Sequence, residues 1–279
     1  MGVRKAPRAR DRILGARLRA IRREQTNLSL EQAAALALWS PSTMSRIETG
    51  KRHISSEDVA TLSTIYKLPL AQRAELIEAA RAGDSSGWWD LALPGVPTDM
   101  GALASYEADA FRLTDWSVNL VPGLLQTYRY AVGLMRSGGV DAHDIEARWI
   151  ARLRRQQILG ALDYTAFIGE AAVRTPFGGW EALREQLRHL IHARDRGILV
   201  RVVPEHVPHL LVAHSWLLME FPNTTPVVNV EARNGSVFLL DEVAESYVEL
   251  ARQLDRIALS APASLAMLGK VFEEVTHVA

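Results

Sequence analysis

Residues 39–52 read WSPSTMSRIETGKR and have the pattern of a short amphipathic helix. Ser40 is a residue type that caps helix N-termini, and Pro41 suits the first helical position, which needs no backbone N–H. Gly50 suits the left-handed position that follows a helix, and two basic residues come next at the carbonyl end. This stretch therefore predicts a helix that begins at Pro41 and ends before Gly50.

The two faces of this helix differ in chemistry. Met44 and Ile47 lie three residues apart and form an apolar face. The opposite face carries small or forked hydrogen-bond donors, which are Ser42, Thr43, Ser45 and Arg46. Side chains of these types contact base edges in the major groove of DNA. The pattern favours a DNA-reading helix and therefore a regulatory protein.

Apolar residues at helical spacing predict four more helices around this one. The first begins at about Ile13. The second begins after Ser29, which forms a capping-box pair with Gln32, and the other two begin after Ser55 or Ser56 and at Ala71, the last ending at Ala82. Residues 1–12 are expected to form a flexible basic arm. Its charges either follow the DNA backbone or stay solvated, and they belong to Arg4, Lys5, Arg8 and Arg10. The sequence thus predicts an all-α domain of five helices over residues 13–82.

The composition indicates two folded domains of opposite charge. The 279 residues are 48% hydrophobic and carry a net charge of zero. Residues 1–83 hold a charge of +7, and residues 84–279 hold a charge of −7. A basic N-terminal part suits a polyanion such as DNA, whereas an acidic C-terminal part is less informative. The absence of cysteine excludes disulfides, thiolate metal sites and cysteine nucleophiles.

The sequence shows no targeting or membrane signal. No apolar signal-peptide core follows the basic first dozen residues. No run of about 18 apolar residues occurs, so we expect no membrane-spanning helix. We therefore expect a cytoplasmic protein that associates with the nucleoid.

Residues 83–87, GDSSG, mark the clearest break in the pattern and place a linker over residues 83–100. Trp88 and Trp89 follow within this linker. The pair has two interpretations: both rings pack where two domains meet, or they form an aromatic wall for a ligand. In either case a second domain is expected over residues 101–279.

This second domain combines helical and strand patterns. The predicted helices cover 103–137 with a break at 121–123, 142–161, 181–194, 241–259 and 262–275. The predicted strands cover 164–169, 199–203, 215–221, 227–231 and 236–240. Asn234-Gly235 is the expected centre of a hairpin turn between the last two strands. Helices followed by runs of short strands predict an α+β domain with an antiparallel sheet.

The segment VPGLLQT, residues 121–127, has two interpretations. Its Pro-Gly pair predicts a sharp entry into an apolar helix, which needs no ligand if its apolar face lies in the core. Alternatively, Trp116, Leu124 and Tyr128 line a groove that takes a small molecule or a segment of a partner.

No pattern in the sequence indicates catalysis or a metal site. Five histidines lack the compact spacing of a zinc site: His189, His192, His206, His209 and His214. Glu170 beside Arg174 predicts an ion pair at the sheet edge, with a buried catalytic acid as the alternative. Nucleophile-elbow, phosphate-loop and dinucleotide-binding motifs do not occur. We therefore expect no metal, no cofactor and no enzymatic activity.

Three segments of the N-terminal domain resemble the repressor-type helix-turn-helix regulators known as the XRE family. They are LSLEQAA at 28–34, STMSRIETGKR at 42–52 and the pattern LxxIYKLP at 62–69. The resemblance covers about residues 12–82 and implies a lambda-repressor-like fold whose third helix enters the major groove. Leu38 departs from this family, which often has glycine at the turn between the second and third helices.

The resemblance also assigns roles to individual residues. Five face the bases, namely Ser40, Pro41, Ser42, Ser45 and Arg46. Four hold phosphates, namely Ser29, Thr49, Lys51 and Arg52. Arg46 is the best candidate for sequence discrimination, with a phosphate clamp as its alternative role. Glu48 is expected to pair with Arg22 and hold the third helix against the first, which is a structural role.

Segments of the C-terminal domain resemble a domain of unknown function that follows this module in many actinobacterial regulators. They include SVNLVPGLLQT at 117–127, RLRRQQIL at 152–159 and IGEAAVR at 168–174. The chain contains 28 Arg and 4 Lys, as GC-rich coding tends to give. The resemblance implies an antitoxin-like regulator that is encoded beside a very small partner protein.

The sequence supports two functions. The first is a sequence-specific DNA-binding transcriptional regulator whose C-terminal domain senses a partner protein or a small ligand. It is expected to bind double-stranded DNA as a homodimer, because one module buries little surface and half-sites are usually paired. The second is an antitoxin-like protein that sequesters a small partner protein and autoregulates its own operon. An enzyme in the C-terminal domain would need a catalytic site that no motif indicates.

Overall fold

The computed structural model describes residues 9–84, 94–206, 214–222, 224–232 and 235–277. The chain divides into two compact units. The N-terminal unit takes in residues up to 84 together with 98–109, 221–222 and 224–225, and the C-terminal unit takes in the other described residues. The predictions made for the first eight residues, for Trp88 and Trp89 and for His209 lie outside the described ranges.

The described residues of the N-terminal unit form six helices. They are α1 (Ala9–Gln25), α2 (Leu30–Leu36), α3 (Pro41–Glu48), α4 (Ser56–Ile65), α5 (Leu70–Asp84) and α6 (Thr98–Asp109). The predicted order of five helices is confirmed by α1 to α5, which form an all-α helix-turn-helix domain. α6 was predicted as the start of the second domain, but it packs against α1 within the N-terminal unit.

Helix boundaries differ from the prediction at both ends of this unit. α1 begins at Ala9, so the last residues of the predicted flexible arm are helical. Asp11 explains the early start, because its carboxylate favours the first turn and accepts a 3.0 Å hydrogen bond from the backbone N–H of Ile54. α5 extends to Asp84 and α6 begins at Thr98, so both helices enter the predicted linker.

Side-chain caps determine where three helices begin. Ser29 Oγ accepts a hydrogen bond from the backbone N–H of Gln32 (3.2 Å), and the Gln32 side chain accepts one from the Ser29 N–H (2.8 Å). Ser40 Oγ accepts a 3.0 Å hydrogen bond from the N–H three residues later. Ser55, and not Ser56, caps α4. The predicted capping box of α2 and the predicted cap of α3 are therefore confirmed.

The core of the N-terminal unit is built from the predicted apolar faces. Its buried residues include Leu14, Leu18, Ile21, Ala33, Ala34, Met44, Ile47, Val59 and Leu62. Gly15 lies where α1 meets α3, and a Cβ atom there would stand 2.2 Å from the carbonyl oxygen of Ile47. The missing side chain lets the two helix backbones approach closely, so Gly15 sets the distance between α1 and α3.

The turn between α2 and α3 is closed by Leu38. This residue has a φ of +59° and a side chain that is 93% exposed. The left-handed conformation costs a non-glycine residue roughly 1–2 kcal/mol. Leu38 therefore occupies the left-handed position of this turn, where glycine is usual, and its side chain remains exposed.

The described residues of the C-terminal unit form six strands and six helices. They are β1 (Arg112–Ser117), α7 (Tyr128–Ser137), α8 (Ala142–Gln156), β2 (Asp163–Gly169), α9 (Glu170–Arg174), α10 (Trp180–Ile191), β3 (Leu199–Val203), β4 (Trp216–Glu220), β5 (Val227–Ala232), β6 (Gly235–Leu239), α11 (Asp241–Ile257) and α12 (Ala261–Thr276). Two short 3-10 helices cover Gly123–Leu125 and His192–Arg196.

The strands form one mixed sheet in the order β3-β2-β1-β4-β5-β6. β1, β2 and β3 are parallel, and the helices between them in the chain serve as crossover connections. β4 pairs antiparallel with β1, and β5 and β6 continue the antiparallel half. The predicted α+β class is confirmed. The sheet is mixed rather than wholly antiparallel as predicted, because β1 pairs in parallel with β2 on one side and antiparallel with β4 on the other.

β1 is the largest departure from the sequence prediction, which placed a helix over residues 103–137. Leu113 and Trp116 lie three residues apart, which is the spacing of one helix face. Both are fully buried in a central strand that pairs with β2 on one side and β4 on the other. A strand covered on both faces lacks the alternation of a half-exposed strand, so its pattern was wrongly read as helical.

The remaining elements of this unit lie close to their predicted positions. β2 to β6 begin and end within one residue of the prediction, and α8 ends at Gln156 rather than Ala161. β5 and β6 form the predicted hairpin, but Ala232 pairs with Gly235, so Gly235 is a strand residue and not part of the turn centre. None of the described helices combines the length and the apolar character that a membrane crossing requires.

Candidate nucleic-acid interface

α3 presents one polar face outside the core of the N-terminal unit. The exposed residues on this face and at its cap are Ser40, Pro41, Ser42, Ser45 and Arg46. Met44 and Ile47 on the opposite face are completely buried, so the orientation of α3 is fixed by the core. Arg46 has no ion-pair partner among the described residues, which leaves its guanidinium free to contact a ligand.

A tight turn after α3 brings the basic residues Lys51 and Arg52 to the end of the helix. Gly50 has a φ of +63°, and a Cβ atom there would lie 2.5 Å from Arg12 Cα. The backbone N–H groups of Lys51 and Arg52 both donate to the carbonyl oxygen of Arg46, at 2.8 Å and 3.2 Å. The turn is therefore closed by hydrogen bonds and requires glycine for both its dihedral angle and its close packing.

Three of the four predicted phosphate ligands have partners inside the unit. Thr49 donates its hydroxyl to a backbone carbonyl of the preceding turn (2.6 Å), and the Arg52 guanidinium lies 3.6 Å from a carboxylate of α4. Ser29 donates its hydroxyl to Glu31 (2.9 Å), so a carboxylate stands beside the expected phosphate position. Lys51 is exposed, and no described residue pairs with its ammonium group.

Arg22 and Glu48 form a bidentate ion pair between α1 and α3. Arg22 Nε and Nη2 donate to the two carboxylate oxygens of Glu48 at 2.6 Å and 2.9 Å. The two side chains are only 8% and 2% exposed. Arg22 Nη1 also donates to the carbonyl oxygen of Leu28 (3.0 Å), and the hydrogen bond with Glu48 raises the pKa of Arg22. The pair holds α3 against α1.

A cleft of about 400 Å³ opens beside α3. It is lined by Arg19, Arg22, Arg23, Ser29, Leu30, Ser45, Glu48 and Thr49. Arg19 and Arg23 lie one turn apart on α1, and neither has an ion-pair partner in the described part of the chain. The sequence prediction did not include these two arginines. The signal that would have found them is their i, i+4 spacing on the polar side of α1.

The structure does not bring Trp116, Leu124 and Tyr128 to one accessible surface. Trp116 and Leu124 are 0% and 1% exposed, whereas Tyr128 is 47% exposed. Trp116 packs in the core between the sheet and α11, and the Tyr128 ring meets Trp149 edge-on with centroids 5.4 Å apart. Two of the three residues are therefore core residues, and the predicted groove is not formed by them.

Titratable residues that the sequence singled out are engaged in other contacts. His189 Nε2 lies 3.0 Å from the Arg196 guanidinium, and Glu170 accepts a 3.0 Å hydrogen bond from Arg174, as expected for an ion pair. Among the described residues, one group places carboxylates and an imidazole close enough to share an ion, and it is the exposed set Asp141, His143 and Asp144. Nothing else at that position indicates a bound metal.

His189 makes stability depend on pH. Burial, and then the positive charge of Arg196, lower the pKa of His189 below its ordinary value. The stability that neutral His189 contributes is therefore fully present above the unfolded-state pKa of about 6.5. This contribution is lost as the pH falls below that value toward the lower pKa of the folded state. We expect the Tm of wild type to fall relative to that of His189→Gln between pH 7.5 and pH 5.5. His192→Gln, at the exposed end of the same helix, is the control, and equal pH dependence in all three proteins would contradict this assignment.

Two family models match the chain. One, described as a helix-turn-helix domain, matches residues 13–76, and the other, described as a domain of unknown function (DUF5753), matches residues 100–270. Comparison with curated proteins and with solved structures gave no significant match. The first match agrees with the tight turn that joins α2 and α3. The chain therefore belongs to the DUF5753 family, and its N-terminal unit is a DNA-binding helix-turn-helix domain.

Proposed function

We propose that this protein is a sequence-specific transcriptional regulator of the repressor-type XRE class. The observation that carries the proposal is the exposed polar face of α3. Buried Met44 and Ile47, together with the Arg22–Glu48 ion pair, hold this face in one orientation. A rigid helix with exposed hydroxyls and a free guanidinium is what base readout requires.

In this proposal α3 enters the major groove and Arg46 contacts a base. Ser40, Pro41, Ser42 and Ser45 lie beside it on the base-facing surface. Phosphates are held around them by Thr49, Lys51, Arg52 and the two cleft arginines, Arg19 and Arg23. Ser29 reaches a phosphate only when its hydroxyl leaves Glu31. The charge of +7 on residues 1–83 supports binding to a polyanion.

We further propose that the regulator binds DNA as a homodimer in the cytoplasm, at the nucleoid. A single module buries too little surface for tight binding to an operator. Two modules bound to paired half-sites bury more surface and so bind more tightly. The C-terminal unit then receives a signal from a partner protein or a small ligand, and no catalytic step is needed.

A second candidate function is that of an antitoxin-like protein that sequesters a small partner and autoregulates its operon. The charge of −7 on residues 84–279 supports this function, because an acidic surface attracts a basic partner. The resemblance of residues 117–127 to actinobacterial regulators encoded beside a very small protein points the same way.

Fluorescence anisotropy on the protein's own upstream DNA tests the proposed function, with a scrambled duplex of equal length as the control. We expect tight binding to the native duplex and weaker, salt-sensitive binding to the scrambled one. Equal affinity for both would overturn sequence-specific regulation. Adding the product of a small neighbouring reading frame separates the two functions. A changed affinity supports the antitoxin-like protein, and an unchanged one supports a regulator with another signal.

Arg46→Ala and Arg52→Ala are expected to have different effects on DNA binding. Arg46→Ala should relax base preference at one position of each half-site, with a loss of about 1–3 kcal/mol of discrimination. Arg52→Ala should weaken binding to all sequences alike and lower the salt slope by about one charge. Affinities for a set of single-base operator variants at several salt concentrations measure both effects. A uniform loss in both proteins would show that Arg46 does not read a base.

A further inference from the structure

A groove of about 320 Å³ lies beside the edge strand β3 in the C-terminal unit. It is bounded by α10, the 3-10 helix that follows α10, β3 and the first turns of α12. Its floor consists of Leu190, Ile198 and Leu268, which are buried. Sites for small molecules occupy roughly 300–1,000 Å³, so this groove has room for a small ligand.

The walls of the groove are apolar and only partly covered. Ile191, Val200 and Leu265 are half-buried, and Leu199 is 37% exposed. These residues come from α10, β3 and α12, so the exposed apolar surface is a concave site and not a stripe along one helix. An apolar molecule in the groove would remove this surface from water, which is favourable.

The backbone of β3 is open to the groove at Val200. On the outer edge of β3, the Val202 N–H donates to Ser264 Oγ (3.0 Å), and the Val202 carbonyl oxygen accepts from the Leu259 N–H (2.9 Å). Alternate residues of a strand direct their backbone groups to the same edge, so those of Val200 also point outward. No described residue bonds to them there, which leaves one donor and one acceptor in an apolar groove.

The open part of this edge is too short for an added strand. Two residues before Val200, the Ile198 N–H donates to the carbonyl oxygen of Ala193 (3.3 Å). Two residues after Val200, the edge is already bonded at Val202. A peptide that extends a sheet needs a row of open backbone groups. The groove therefore fits a compact molecule and not an extended peptide.

Arg194 places a positive charge at the groove. Among the described residues that line it, Arg194 alone is charged. This residue is exposed, and its guanidinium has no hydrogen-bond or ion-pair partner in the described part of the chain. A guanidinium group presents a fork of donors that matches the two oxygens of a carboxylate. The groove is therefore complementary to an apolar molecule that carries one carboxylate.

We propose that this groove binds a small monocarboxylic acid with an apolar body. The body covers Leu199 and Leu265, the carboxylate accepts hydrogen bonds from Arg194, and the Val200 N–H is a further donor. The inference rests on the proposed function for its biological role, because it names a ligand class for the unit that receives the signal. Binding itself needs no DNA, so titrations without DNA test the groove alone, and anisotropy on the upstream DNA tests the proposed function alone.

Isothermal titration calorimetry of the full chain with 4-phenylbutyrate tests the groove. The reference compounds are 4-phenylbutan-1-ol, which has the same body without the charge, and acetate, which has the charge without the body. We expect the acid to bind about fivefold more tightly than the alcohol, which is the upper limit for an ion pair that stays open to water. Acetate should show no binding. An acid that binds no more tightly than the alcohol, or that does not bind, would overturn the proposal.

Arg194→Met tests where the carboxylate lies. Arg194 is exposed, so the fold should persist. The variant should lose the preference for the acid and keep the affinity for the alcohol, because methionine retains apolar contact without the charge. Arg136→Met is the matched control, since it removes an exposed arginine outside the groove, at the end of α7, and both affinities should stay unchanged. A preference for the acid that survives Arg194→Met would overturn the proposal.

Leu265→Ser tests where the apolar body lies. This substitution removes apolar surface that both phenyl compounds would contact, so it should weaken the acid and the alcohol alike, by about tenfold. The preference for the acid should remain, because Arg194 is unchanged. Circular dichroism of the variant shows whether the helices persist. Unchanged affinities in a folded Leu265→Ser protein would show that the body does not lie in this groove.

Discussion

Glu48→Ala is expected to lower the free energy of unfolding by about 3–5 kcal/mol, because it leaves the guanidinium of Arg22 buried without its carboxylate. The remaining contact of Arg22 with the Leu28 carbonyl does not neutralise the charge. α3 should lose its attachment to α1, so DNA affinity should fall together with stability. Urea denaturation followed by circular dichroism measures the first effect, and anisotropy on the upstream DNA measures the second.

Two controls separate the buried pair from ion pairs in general. Glu78→Ala removes the partner of Arg81 in an exposed pair, whose side chains are 70% and 64% exposed, and should cost at most about 1 kcal/mol. Replacing Arg22 and Glu48 together by methionine should recover most of the stability, because no buried charge is left. A loss in Glu48→Ala no larger than that in Glu78→Ala would show that the buried pair does not hold α3.

Gly15→Ala is the second substitution with a large expected effect, and it should lower the free energy of unfolding by about 3 kcal/mol. Alanine normally stabilises a helix interior relative to glycine, so the direct contribution of the substitution has the opposite sign. The loss arises because the new Cβ would stand 2.2 Å from the backbone oxygen of Ile47, which cannot rotate away. α1 and α3 must separate, and the Tm and the affinity for DNA should both fall.

Gly269→Ala is the matched control for that substitution. Gly269 also lies inside a helix, α12, but nothing described stands within 4 Å of its Cβ position. Here alanine should stabilise the protein by about 0.5–1 kcal/mol. Stability changes of opposite sign in the two variants would establish that glycine is required at position 15 by the contact between α1 and α3, and not by helix propensity. A stabilising Gly15→Ala would refute the close approach of α1 and α3.

The fold of the N-terminal unit was largely predictable because its signals are local. Caps such as Ser29 and Ser40 act within three residues, and the apolar pairs of α3 repeat at helical spacing. The exposure of Arg46 follows directly from the burial of Met44 and Ile47 on the other face. For such an element the sequence contains nearly all the information that determines the local structure.

Features that depend on distant partners were not predictable in this way. β1 is a strand because β2 and β4 pair with it, and these lie about 50 and 100 residues further along the chain. The requirement for glycine at position 15 comes from the backbone of α3, and the hydrogen bond that the Gly123 carbonyl accepts comes from Gln156 on α8. In each case the deciding atom belongs to a segment that a local pattern does not include.

Because α6 belongs to the N-terminal unit, the DNA-binding domain of this protein cannot be exchanged by cutting the chain at a single point. The helix-turn-helix match ends at residue 76, yet α6, with buried Leu103 and Tyr106, packs with α1 and lies within the second family match. A gene fusion that transplanted only residues 1–84 would leave α6 behind and open part of the α1 surface to water. The two matched segments therefore cannot be exchanged independently of each other. A functional hybrid protein would have to include residues 98–109 together with α1 to α5.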